Sequence, residues 1–157
     1  MFLPMVLNSS NPLLINKYAG DLLAINETTK QYGLILTEQD AKNIIEVRNS
    51  VLCSYGRVDL GIDVTKEIIK NLSVSSFINN ENYIYSINEL QELFYYMKNE
   101  TEEKIPDDEL ITLIKDFYEN TCWGSMEFMK GALTQYAEEF RRQEQKKETI
   151  EKGDADN

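Results

Sequence analysis

The chain has 157 residues, 42% of them hydrophobic and 27% charged, with a formal net charge of −11 and no histidine. A chain of this length buries about 70% of its unfolded surface, so a core forms without disulfide or metal. The lack of His excludes Ser-His-Asp and Cys-His catalysis, His-bearing zinc sites and Glu-x-x-His di-iron bundles.

Residues 1–11 read as an N-terminal extension. Met1–Leu7 is apolar but short, carries Pro4 and lacks a charged lead-in, so it does not match a secretory signal. No stretch approaches the roughly 18 apolar residues of a membrane span. The expected location is the cytoplasm, where Cys53 and Cys122 are expected to be free and buried.

Punctuation and periodicity predict an all-α domain over 12–140, an irregular bundle of five to six helices. The first helix is expected from Pro12 to Tyr32. It has an Asn11-Pro12 start, apolar residues Ile15, Tyr18, Leu22 and Ile25 at helical spacing, and Gly33 at its end. Thr37-x-x-Asp40 resembles a capping box and opens a second helix that carries Ile44, Ile45, Val51, Leu52 and Tyr55 and closes at Gly56. After the Arg57–Gly61 connection, a short third helix spans about Asp63–Leu72, and Ser73–Asn80 is polar and loop-like.

The fourth helix, about Glu81–Glu103, repeats Tyr83, Ile87, Leu90, Phe94 and Met97 in steps of 4 and 3. Pro106 breaks it, because the residue before a proline is pushed out of the helical region. Asp107, Asp108 and Glu109 then load the first turn of a fifth helix, where the dipole favours negative charge. Together these two helices predict a central hairpin at about 81–121. Ser125 caps a last helix bearing Met129, Leu133, Tyr136 and Phe140. Beyond it, 141–157 is charged and nearly free of apolar residues, which predicts a fraying helix passing into a disordered tail.

The acidity is concentrated. Residues 81–119 hold 11 acidic and 3 basic residues, a net of −8. Nucleic-acid binding needs a basic footprint and anionic membranes attract basic segments, so neither partner is expected. Mimicry of nucleic acid by the acidic segment is opposed by Lys98, Lys104 and Lys115, which interrupt it.

Three candidate sites stand out. Glu89-x-x-Glu92 and Asp116-x-x-Glu119 lie on the two arms of the expected hairpin, and four carboxylates could hold Mg²⁺ or Mn²⁺ for nucleotide phosphohydrolysis. Helix phase opposes this. At ~100° per residue, Glu92, Asp116 and Glu119 each point more than about 120° away from their apolar faces. The expected cofactor is therefore none. Tyr85, Glu92, Tyr95, Tyr96 and Asn99 project away from the fourth helix's apolar stripe and suit a protein-binding surface. A central position for that helix would instead cover them, with tyrosine hydroxyls reaching water at the rim. Cys122 precedes a helix start, where a thiol pKa can fall, but it has no histidine base and no resolving cysteine nearby. Trp123 is expected to plug the core beneath the turn made by Gly124 and Ser125.

Three stretches stand together: Asn26-Glu-Thr-Thr-Lys-Gln-Tyr-Gly-Leu-Ile-Leu-Thr37, Gly56-Arg-Val-Asp-Leu-Gly61, and Phe94-Tyr-Tyr-Met-Lys-Asn-Glu-Thr101 with Asp107-Asp-Glu-Leu110. They resemble a family of uncharacterised small proteins from clostridia-type Gram-positive bacteria. The resemblance covers about residues 12–131. It implies a bacterial, cytosolic protein and brings no activity, cofactor or site. The reading that follows is a non-enzymatic interaction or regulatory module acting through a helical surface, on an unknown protein partner or on itself.

Overall fold

The computed structural model describes residues 11–155, with side chains through Glu151. The expected extension 1–11 lies outside these residues except for Asn11. The described residues are helices joined by turns, with no strand among them, so the protein is all-α. The chain divides into two compact units within one helix, the first ending at Tyr95 and the second beginning at Tyr96. The division falls within the span 81–121 expected to form a hairpin.

In the first unit, α1 (Pro12–Leu23) starts where Asn11 accepts the Leu13 amide at 2.9 Å, with Pro12 at the first helical position. The helix expected to reach Tyr32 stops at Leu23, and a short α2 (Asn26–Thr29) and a 3₁₀ turn (Lys30–Tyr32) follow. The break has a tertiary cause. Asn26 Nδ2 donates to the Leu36 carbonyl, Asn26 Oδ1 accepts from the Leu36 amide, and Thr29 Oγ1 donates to the Leu34 carbonyl. These bonds tie 26–29 to 34–36, so Leu34 and Leu36 become core residues. Gly33 closes the turn at φ 75°, a conformation that favours glycine.

α3 (Glu38–Ser54) carries the expected capping box in full: Thr37 Oγ1 accepts the Asp40 amide and Asp40 Oδ2 accepts the Thr37 amide. Its face of Ala41, Ile44, Ile45 and Leu52 is buried, and α1 packs along it. α4 (Asp63–Ser73) buries Ile68, Ile69 and Leu72. Asn79 Oδ1 accepts the amides of Glu81 and Asn82, which delays α5 (Tyr83–Glu100) by two residues against the expected start.

The second unit takes up the end of α5. The Lys98 ammonium closes it: Lys98 Nζ donates to the Ile105 carbonyl at 2.6 Å and pairs with Asp107 at 2.7 Å. The turn between them holds Glu102 and Glu103 at φ 53° and 61°, left-handed positions that side chains disfavour. After Pro106, α6 (Asp107–Asp116) begins with the three expected acids. A π-helical turn (Phe117–Thr121) continues it, and α7 (Met126–Ala155) follows. Leu110, Ile114, Met129, Leu133 and Ala137 are buried. α7 is helical to Ala155, through the segment expected to begin as a fraying helix. Ion pairs at helical spacing line it, including Arg142 with Glu138 and Glu139, and Lys147 with Glu144.

Candidate functional site

The four carboxylates of the expected metal site have separate local settings. Glu92 and Asp116 are exposed, Glu89 and Glu119 half-buried. Asp116 accepts from Asn120 Nδ2 at 2.7 Å, and Glu119 sits in the π turn, whose wider winding takes it out of phase with α6. Among the described residues, no three His, Cys, Asp or Glu side chains group so as to hold a metal ion.

The expected tyrosine surface on α5 is broken in its middle. Tyr85 is 57% exposed, and Glu92 and Asn99 are exposed. Tyr95 is 1% exposed, which removes it from any partner surface. Its hydroxyl donates to Asp59 at 2.8 Å, its ring meets Phe94 edge-on at 5.0 Å, and the Arg57 guanidinium lies 5.4 Å from its centroid. Burial, reinforced by Asp59, raises the Tyr95 pKa and keeps the hydroxyl protonated. Tyr96 is half-buried, its hydroxyl 3.1 Å from Thr134 Oγ1.

Asp59 belongs to a polar anchor that the sequence reading missed. Arg48 is 1% exposed. Its guanidinium donates to Asn49 Oδ1 and to the carbonyls of Asp59 and Gly61, and lies 5.6 Å from the Tyr18 ring centroid. Tyr95 and Arg48 thus hold the Arg57–Gly61 loop from within, while Val58 and Leu60 stand 69% and 81% exposed. A signal existed: Arg48 falls in step with Ile44, Ile45 and Leu52 on the buried stripe of α3.

The second unit has a cavity of about 130 Å³ near the start of the charged end of α7, lined by Thr101, Glu102, Lys104, Phe140, Arg141 and Glu144 among others. Its charges are mutually paired. The Lys104 ammonium lies 3.5–3.8 Å from Glu144, Glu148 and Glu102, and Arg141 binds Glu100 at 2.7 Å. This is a salt-bridged nook rather than a reaction site.

The remaining feature is the corner between α6 and α7. The π turn is closed by Cys122 N–H donating to the Phe117 carbonyl and Gly124 N–H donating to the Tyr118 carbonyl, both at 2.8 Å. Tyr118 is buried, and Phe117 meets Tyr136 edge-on at 5.8 Å. Trp123 follows at φ 47°, left-handed and strained for a side-chain-bearing residue, and Gly124 at φ 79°. This backbone puts Cys122 inside and Trp123 outside, opposite to the expected core plug. Trp123 is 75% exposed and Phe128, in the first turn of α7, is 68% exposed. Cys122 is free and buried, and burial raises its thiol pKa, which opposes reactivity; Cys53 is free and exposed rather than buried. At pH 8 a thiol probe is therefore expected to label Cys53 promptly and Cys122 only after denaturant is added, read by mass spectrometry of the two peptides. Prompt labelling of Cys122 in the folded protein would contradict its burial.

No helix among the described residues is long and apolar enough to cross a membrane. No curated protein and no solved structure matches the chain. A family model does match, over residues 21–146. That span contains the three stretches that carry the resemblance, the buried anchor at Arg48 and the whole α6–α7 corner. It covers well over half of the chain, and the protein belongs to the family of unknown function DUF6323.

Proposed function

We propose that this protein is a non-enzymatic binding module and that the α6–α7 corner is its docking element. The observation that carries the reading is Trp123. It is the only Trp in the chain, is held at φ 47° and is 75% exposed. An exposed Trp forgoes the burial of a large apolar surface, worth on the order of 2–3 kcal/mol. A left-handed backbone at a residue other than Gly, Asn or Asp costs about 1–3 kcal/mol more. π turns recur at functional sites, and Trp is among the residues most enriched at binding hot spots.

The helical surface expected on α5 gives way to this corner because Tyr95 is buried. The alternative, a divalent-metal nucleotide phosphohydrolase on Glu89, Glu92, Asp116 and Glu119, lacks a grouped set of carboxylates among the described residues. A bacterial, cytoplasmic setting is part of the proposal and rests on the resemblance and the composition.

The test compares wild type with Trp123→Ser. The variant is expected to unfold within about 0.5 kcal/mol of wild type, as surface changes do. It is also expected to lose the partner that wild type retains in crosslinking from the native host. Retention of the same partner by a folded Trp123→Ser variant would refute the docking role.

A further inference from the structure

We propose that α7 beyond Phe140 is a strap, held against the 100–104 turn by an ion-pair clasp and opened by ionic strength. The proposal stands apart from the docking corner, whose residues lie at the other end of α7. Apolar burial in α7 ends early. Met129, Leu133 and Ala137 are buried and Phe140 is half-buried, but from Arg142 to Glu151 every side chain except Glu144 is exposed. A separate helix of about 15 residues is marginal in water, so contacts outside the segment decide whether it stays on the body. Those contacts are ionic. Arg141 Nη1 donates to the Glu100 carboxylate at 2.7 Å and to the Glu100 carbonyl at 3.3 Å. The Lys104 ammonium lies 3.5 Å from Glu144 and 3.8 Å from Glu148. Arg141, Glu144 and Glu148 follow one another at helical spacing and so share one face of α7. The contact is not close-packed: the cavity of about 130 Å³ lies against it, lined by Thr101, Lys104, Phe140 and Gln145 among others.

The base of the clasp is fixed by its own bonds. The Glu103 amide donates to the Lys98 carbonyl at 2.8 Å and the Lys104 amide to the Thr101 carbonyl at 3.1 Å, while Lys98 is tied to Ile105. The α7 end is therefore the part that moves. Ion pairs near the surface each contribute little and are screened, as the Debye length falls from about 30 Å at 0.01 M salt to about 3 Å at 1 M. Beyond Phe140, no apolar side chain among the described residues is buried to hold the segment once those pairs are screened. Opening uncovers Phe140 and the 100–104 turn.

Amide hydrogen exchange of the full-length protein, read by mass spectrometry at about 0.01 M and 1 M NaCl, tests the clasp. Exchange at 141–151 is expected to accelerate about threefold to tenfold at high salt, measured against 126–137 as the internal reference. At low salt, Lys104→Gln and Glu100→Gln are each expected to accelerate 141–151 about threefold, and the double variant to lose most of the salt response. Both residues lie outside α7, so their effect reports the clasp and not helix propensity. Lys147→Gln removes an ion pair internal to α7 and is expected to change 141–151 by no more than about twofold, with the salt response kept. A double variant that keeps the full salt response would overturn the clasp. So would the absence of acceleration in both single variants, or equal acceleration at 126–137.

Discussion

Arg48→Leu is expected to lower the free energy of unfolding by about 3–5 kcal/mol. The guanidinium is 1% exposed and serves three acceptors: Asn49 Oδ1 and the carbonyls of Asp59 and Gly61. Leu fills much of the volume but donates nothing, so two loop carbonyls and an amide oxygen lose their donor. Each buried acceptor left without one costs about 1–3 kcal/mol. The Tyr18 ring also loses its cation. Arg48→Lys is expected to recover only part of this, because one ammonium cannot reproduce a planar fork that spans Asn49 and two carbonyls. Urea denaturation followed by circular dichroism measures both variants. A loss below about 1 kcal/mol for Arg48→Leu would mean that the loop carbonyls find other partners, water included.

Lys98→Leu is expected to cost about 2–3 kcal/mol, in the second unit. Lys98 is 5% exposed, and its ammonium holds the Ile105 carbonyl and Asp107. Most of the loss comes from the carbonyl, since the Asp107 side chain is 57% exposed and water screens that ion pair. The effect reaches the turn it braces. Glu102 and Glu103 are both left-handed, and the Glu103 amide donates to the Lys98 carbonyl at 2.8 Å. Without the ammonium, the strained turn loses its tie to Ile105. Amide hydrogen exchange is therefore expected to accelerate at 101–105 in the variant more than along α3. Uniform acceleration throughout the chain would indicate global destabilisation without a local role for the turn.

Both predictions concern residues whose position was readable from the pattern and whose consequence was not. Arg48 continues the stripe of Ala41, Ile44 and Ile45, and Lys98 lies four residues after Phe94 on the stripe of α5. Gln91, four residues after Ile87, is a third case. It is fully buried, accepts from Thr65 Oγ1 at 2.6 Å and donates to the Ile44 carbonyl. A polar residue on an apolar stripe signals a buried network. Its partners include groups up to 47 residues away along the chain, beyond the reach of periodicity.

The candidate site divides the same way. Gly124 and Ser125 mark a turn and a helix start in the sequence, and both are found there. Which side chain of the Cys122–Trp123 pair faces the core depends on the π turn before it, and one extra residue per turn rotates everything downstream. Hydrophobicity alone favours Trp inside; the backbone places Cys122 there instead.

What the sequence by itself determined are the features whose interactions close within one helical turn. The Asn11 cap, the Thr37–Asp40 box, the Gly33 and Gly56 ends and the acidic start after Pro106 are local bonds or dipole contacts that need no third element. Tertiary structure alone decided where the first helix breaks, how the chain divides at Tyr95 and Tyr96, which tyrosine is buried, and that Trp123 stands in solvent. Those outcomes depend on which surfaces meet. Burial and long-range hydrogen bonding are properties of pairs of segments, and one segment's pattern states only that a face wants covering, not what covers it.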